Sequence, residues 1–236
     1  MRSKTKSLSI VTVFAALFLL CMSTCAMADG TTILSESFDS VADAWYDLGT
    51  SGTVVNSDAG DWLFVCRDFA STCGMRNGKA ERESKGAGGL AADRRFIMYH
   101  TLSSPVSVSA LTSVTLTATI TPAADCAQGF NLMIQSLQDG TTDVSTEPND
   151  IASVKFGFQL NAKSGNPPLG IFVGGASVTE SPGTLQLEHV YLCTATFVPQ
   201  GDGNTQCSYS VTDLTDPVSG TLNASNTISV AAEISD

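Results

Sequence analysis

Acid–base chemistry needs paired carboxylates or a positioned histidine, and this sequence offers few of either. Two short acidic strings stand out, Glu36-Ser-Phe-Asp39 and Asp213-Leu-Thr-Asp216. A retaining glycosidase needs two carboxyl groups about 5–5.5 Å apart across the scissile bond. Residues three apart on a strand point to opposite faces, so neither string supplies that pair. Asp213–Asp216 also runs into Pro217, which reads as a turn. His100 and His189 are the only histidines, and both lie within or beside strand patterns, where packing or a surface hydrogen bond is the ordinary role. No G-x-S-x-G elbow and no Gly-Lys-Ser/Thr phosphate loop occurs. The expected chemistry is therefore binding, not catalysis.

Three groups of residues suit binding. Calcium takes six to eight oxygens, and Asp139-Gly-Thr-Thr-Asp143 with Glu147-Pro-Asn-Asp150 forms an oxygen-rich loop. Asp139, Asp143 and Asp150 are the expected ligands of a structural calcium ion, although ordinary turns use the same residues. Gln200-Gly-Asp-Gly-Asn204 is a second loop of this kind. Stacking on a sugar ring would draw on Trp45, Tyr46, Trp62, Tyr99, Tyr191 and Tyr209. Trp62 sits in the apolar run Asp61-Trp-Leu-Phe-Val65, so Trp45-Tyr46 is the pair singled out for ligand contact. The third group is basic. Residues 67–95 hold seven Lys/Arg against four acids, and the remainder holds Lys155 and Lys163 against 19 acids beyond the first 28 residues. Arg94 and Arg95 in this stretch suit a basic lip over an acidic glycan; the plain alternative is a solvated loop of mixed charge. Gly78 to Gly89 is polar and Gly-rich and reads as a long mobile loop.

These residues sit in an exported chain. Arg2, Lys4 and Lys6 precede an apolar stretch from Leu8 to Leu20 and the small-residue site Ala26-Met27-Ala28, the tripartite pattern of a bacterial signal peptide over residues 1–28. Its removal leaves residues 29–236 with nine basic and 23 acidic side chains, net −14. A chain so acidic is a poor partner for nucleic acid, whose affinity for proteins comes largely from Lys and Arg. No later apolar run is long enough to span a bilayer, so a secreted or periplasmic product without a membrane span is expected. Five cysteines follow the signal: Cys66, Cys73, Cys126, Cys193 and Cys207. In an oxidising compartment pairs are expected. Cys66 with Cys73 would close a local loop, Cys193 with Cys207 would cross a hairpin if the register brings them nearly opposite, and Cys126 would be left over. Zinc is disfavoured because no C-x2-C spacing occurs.

The elements that must position these groups are strands. Val154, Phe156, Phe158 and Leu160 alternate with Lys155, Gly157, Gln159 and Asn161, the pattern of a half-buried antiparallel strand. Ser113–Thr121 alternates Val114, Leu116, Ala118 and Ile120 with Ser and Thr, and Phe130, Leu132 and Ile134 continue the style. His189–Val198 and Gln206–Leu214 flank a Gly/Asp-rich connector and read as a hairpin. Shorter candidates are Ile33–Phe38, Asp61–Cys66, Phe96–Leu102, Leu169–Val173 and Ile228–Ile234. About ten strands with this spacing predict a two-sheet sandwich or a barrel in one domain. Asn226–Asp236 reads as a closing strand that stops abruptly, so the domain either ends there or is cut short.

Leu34-Ser-Glu-Ser-Phe-Asp39 followed by Trp45, Tyr99-His-Thr-Leu-Ser-Ser-Pro-Val106 followed by Val114–Ile120, and Tyr191-Leu-Cys-Thr-Ala-Thr-Phe197 followed by a turn and Ser208–Asp213 resemble the concanavalin A-like, laminin-G-like domains of secreted bacterial proteins. The resemblance spans most of residues 33–215 and implies an all-β, two-sheet antiparallel jelly-roll sandwich whose concave sheet often carries a glycan or protein ligand. It also implies a structural calcium site, with Glu36 or Asp39 near it. The E-x-D-x-x-E string of the laminarinase-type relatives is missing here. The expectation is a secreted, non-catalytic module that binds an extracellular polysaccharide or a cell-surface partner. Its alternatives are a structural or adhesive protein without sugar binding, and a polysaccharide hydrolase or lyase built from distant residues.

Overall fold

In a computed structural model the chain is described at residues 32–38, 43–47, 55–59, 62–67, 71–84, 95–100, 102, 106–108, 110–122, 130–135, 154–161, 169–218, 222–232 and 234. At 44–47, 55–59, 62–67, 71–73, 82–84, 95–99 and 135 the description covers the backbone alone. The described residues form strands and no helix. All the pairings are antiparallel.

Two three-stranded sheets come from the first part of the chain. One has the order β1-β4-β5, built from β1 (Ala44–Asp47), β4 (Ser71–Arg76) and β5 (Lys79–Ser84); the other has the order β2-β3-β6, from β2 (Val55–Ala59), β3 (Trp62–Arg67) and β6 (Arg95–Tyr99). Part of the expected long loop over 67–95 is thus a hairpin. Asn77 and Gly78 carry φ of 52° and 68° at its tip, the paired positive values that a two-residue hairpin turn of right twist demands. Arg76 holds Glu81 diagonally across the strands, with the guanidinium 2.8 Å from Oε2. Residues 32–38 are irregular, contrary to the expected strand over Ile33–Phe38. The Phe38 amide donates to Glu36 Oε1 at 2.7 Å, a local side-chain bond that competes with ladder formation.

Two four-stranded sheets stack face to face. Sheet I has the order β14-β13-β12-β7, from β7 (Val114–Ile120), β12 (Tyr191–Pro199), β13 (Thr205–Asp213) and β14 (Asn223–Val230). Sheet II has the order β11-β10-β9-β8, from β8 (Phe130–Gln135), β9 (Val154–Leu160), β10 (Leu169–Val173) and β11 (Ala176–Glu180). The predicted alternation in β9 holds: Val154, Phe156, Phe158 and Leu160 are buried. They meet Tyr191, Cys193, Ala195 and Phe197 of β12 in one core, and the rings of Phe156 and Phe197 lie 5.2 Å apart. The closing strand runs over Asn223–Val230, earlier than the expected Ile228–Ile234. Strand β11 follows a turn at Gly174-Gly175, both at positive φ, the same hairpin chemistry as Asn77-Gly78.

Gly157 departs from its expected solvent-facing role in β9, being buried. It pairs with Met133, and a Cβ there would stand 2.8 Å from Met133 Cγ and 3.2 Å from the Leu132 carbonyl oxygen. Backbone cannot retreat as a side chain can. Gly157→Ala should destabilise the chain by about 1–3 kcal/mol through overpacking. A denaturant titration showing unchanged stability would contradict this close approach.

Candidate functional site

The β12–β13 hairpin carries the most ordered polar chemistry among the described residues. Its nine paired positions run from Tyr191 opposite Asp213 to Pro199 opposite Thr205. At the open end, His189 Nδ1 lies 2.7 Å from Asp213 Oδ2. An ionised carboxylate only accepts, so Nδ1 carries the proton. Asp213 Oδ1 accepts from the amides of Thr215 at 2.9 Å and Asp216 at 3.1 Å, so Asp213–Asp216 is the expected turn. The Asp213 amide donates to the Leu222 carbonyl and to Asn223 Oδ1, drawing in the start of β14. Leu214 N donates to the Val190 carbonyl, and Val190 N donates to Thr215 Oγ1.

Asp213 is fully buried. Burial pushes its carboxyl up, but the bond from His189, the amides of Asp216 and Thr215 and the adjacent imidazole together hold it below the usual carboxylate range. An Asp–His pair also appears in hydrolytic triads, where it orients the base toward a nucleophile. Here the carboxylate's bonds close a turn and join two strand ends, and the His189 ring stacks on that of Tyr191 at 6.3 Å. His189 thus takes the hydrogen-bonded, packed role expected of a strand-end histidine.

The outward face of sheet I is the second feature. Thr115, Thr196, Ser208 and Thr227 stand opposite one another across β7, β12, β13 and β14. Thr117, Thr194, Ser210 and Ser225 form the next row, two residues along. The hydroxyls of Thr115 and Thr196 are 3.0 Å apart, those of Ser208 and Thr227 3.0 Å, and those of Thr117 and Thr194 3.4 Å. A third row, Thr119, Leu192, Thr212 and Asn223, carries one apolar residue. No residue of the three rows is charged. The face is open, with Thr115, Thr117, Ser208, Ser225 and Thr227 exposed and the central hydroxyls half-buried by their neighbours. Each hydroxyl has one donor and two acceptor sites, so the paired ones keep capacity for a ligand.

No family model, curated protein or solved structure matches the chain. The face and the strand-end lock therefore stand on their own geometry.

Trp45 and Tyr46 lie on β1 opposite Gly74 and Cys73, and Arg95 opens β6 opposite Arg67; their side chains lie outside the described residues. Arg94, Asp139, Asp143, Asp150 and Cys126 lie outside them altogether. Among the described residues no group of three His, Cys, Asp or Glu could hold a metal ion. In the second expected calcium loop, Asp202 Oδ1 accepts from the Asn204 amide at 3.0 Å, a turn-forming bond. Tyr191 and Tyr209 are not stacking platforms. Tyr191 is fully buried with its hydroxyl accepting from the Gln186 amide at 2.7 Å, and Tyr209 is 6% exposed with its hydroxyl donating to Glu180 Oε2 at 3.4 Å. Asn226 Nδ2 reaches the same Glu180 oxygen at 3.3 Å, so this carboxylate of β11 in sheet II clasps the edge of sheet I.

The Cys193–Cys207 bridge is corrected by the register. Both thiols are free and buried, with Cys193 opposite Val211 and Cys207 opposite Phe197. A four-residue offset separates them by roughly 13 Å along the strands at about 3.3 Å per residue. A disulfide tolerates Cα atoms no more than about 7 Å apart. Cys66 lies on β3 and Cys73 on β4, in different three-stranded sheets, and their side chains lie outside the described residues.

Burial pushes both hairpin thiols up to about 12. At mildly alkaline pH, peptide mapping after native alkylation should find Cys193 and Cys207 unmodified, and both modified once the chain is unfolded. Rapid native labelling of either would place it outside the core.

The Asp213 carboxyl, lower in the folded state than in the unfolded, contributes stability that is present above its unfolded value and lost as pH falls through its folded value. Asp213→Asn should lower the neutral-pH Tm by several degrees, and the gap to the parent should close as pH drops below the ordinary Asp range. A gap that persists unchanged in acid would show that the carboxylate's charge is not what the lock uses.

Proposed function

We propose that the chain is an exported, non-catalytic β-sandwich module that binds an extracellular carbohydrate or a cell-surface partner. The observation that carries the reading is the open, charge-free face of registered hydroxyls on sheet I, presented by a chain whose net charge is −11. Hydroxyls both donate and accept, as those of a sugar do, and an uncharged face neither attracts nor repels ions strongly. The finer fold assignment, a concanavalin A-like jelly roll, belongs to the same proposal and rests on two stacked antiparallel sheets. Residues 1–28 act as the signal peptide in this reading, which places the mature chain outside the cytoplasm. Structural calcium at Asp139, Asp143 and Asp150, and ligand contacts from Trp45, Tyr46, Arg94 and Arg95, are further parts of it.

A structural or adhesive role without sugar binding is the second reading. It is favoured by the hydroxyl pairs, which already satisfy part of each other's hydrogen-bonding capacity. The two readings separate in thermal unfolding of the mature chain with calcium, with chelator and with a panel of soluble polysaccharides. A ligand confined to the native state raises Tm by mass action, by an amount that grows with its concentration over Kd. A rise with one glycan class is the expected outcome, and a rise with calcium alone would leave a metal-stabilised scaffold. No rise with any addition would favour the structural reading.

A further inference from the structure

We infer that the two complete hydroxyl rows of sheet I form a track for one chain of a neutral polysaccharide, lying across strands β7, β12, β13 and β14. This rests on the reading of the chain as a glycan-binding module and adds the class of glycan, its direction and the residues that hold it.

The class follows from charge. The rows contain no Lys, Arg, Asp or Glu, so nothing in them recognises a carboxylate, sulfate or phosphate. The basic residues after the signal cluster in 67–95, and outside that stretch there are 19 acids to two lysines, so the net charge of the chain disfavours an anionic polymer. A cationic polymer would find its partners among those acids and not on the rows. A polymer of neutral sugars matches both the lack of charge and the mixed donor–acceptor character of Ser and Thr. The threonine methyl groups between the hydroxyls add small apolar contacts suited to sugar C–H faces.

The direction follows from spacing. Hydroxyls within a row repeat at the strand separation, about 4.8 Å, and the second row runs beside the first at about 6.8 Å, two residues along the strands. The repeat unit is thus a cross-strand one, as long as the sheet is wide. Neighbouring strands twist by about 20–25°, so a rigid planar surface would touch only a few of these positions. A single flexible chain can follow the twist from β7 to β14.

The experiment is co-sedimentation of the purified mature chain, at low and high salt, with swollen amorphous cellulose, amorphous chitin and an insoluble β-glucan, whose surfaces expose single chains, and with heparin-coated beads as the anionic polymer. Variants are Thr194→Val with Thr196→Val, which keeps shape and removes two central hydroxyls, Trp45→Ala, which removes the expected aromatic contact, and Val218→Ser, a control at an exposed position outside the rows. The parent should sediment with at least one polymer, with little salt dependence. The double valine variant should raise the half-saturating concentration about tenfold or more, as expected for two lost hydrogen bonds. Val218→Ser should bind as the parent does, and all variants should keep the parent's circular dichroism. Binding lost in Trp45→Ala but intact in the double valine variant would overturn the track and leave glycan binding standing. Binding only to an anionic polymer, abolished by salt, would do the same in favour of the basic segment. No sedimentation with any polymer would overturn both track and glycan reading. A parent dimer that the double valine variant dissociates would assign the face to a second copy and overturn the track.

Discussion

The register of the β12–β13 hairpin is the constraint on which the rest of the larger sandwich depends. Strand β7 pairs onto one side of it and β14 onto the other, so its phase sets the phase of sheet I. A slip of one residue would turn Tyr191, Cys193, Ala195 and Phe197 to solvent and drive Leu192, Thr194, Thr196 and Val198 into the core. Burying three or four large side chains is worth several kcal/mol, at about 1.5–3 kcal/mol each, while the buried hydroxyls would lack partners. Two end devices reinforce the phase. The Gln200–Asn204 turn closes one end through the Gln200 amide to the Asn204 carbonyl, and the His189–Asp213 bond closes the other.

The same phase separates chemistry from packing. Inward on β12 stand Tyr191, Cys193, Ala195 and Phe197, and Cys193 lies four positions out of step with Cys207 of β13. Stability here comes from the interlocked aromatic and aliphatic layer between the sheets, not from a covalent bridge across this hairpin. A core of this extent makes such a bridge dispensable. Outward, two complete rows of Ser and Thr line up because four strands share one register. Sheet II does not repeat the pattern: every residue of β10 is buried, including Phe172 on the face away from the shared core. The two sheets are thus unequal, and the open face belongs to sheet I.

Electrostatics reinforces the division. The acidic excess of the chain is absent from the hydroxyl rows, and the carboxylates described nearby are committed to structure. Asp213 ties strand ends together, Asp202 shapes a turn, and Glu180 clasps Tyr209 and Asn226 across the sandwich edge. Each of these three carboxylates has a hydrogen-bonding task that local geometry supplies.

Alternation alone determined that this chain is all-β, because a period of two is written directly in β7, β9, β12 and β13, and burial of one face follows from it. The β12–β13 hairpin and the turn at Asp213 were legible for the same local reason. The hairpin over Ser71–Ser84 was also written locally, in Asn77-Gly78, but the Gly-rich and charged residues after it masked the signal. Tertiary structure decided what depends on register between distant strands. The Ser and Thr residues of each strand were visible singly, yet their alignment into rows joins residues 115 and 227, and no local rule sets that pairing. The same holds for the thiols: the sequence placed Cys193 and Cys207 on one face, and only the register put them four positions apart. Periodicity is a property of a single strand, whereas register is settled by which side chains the assembled core can bury together.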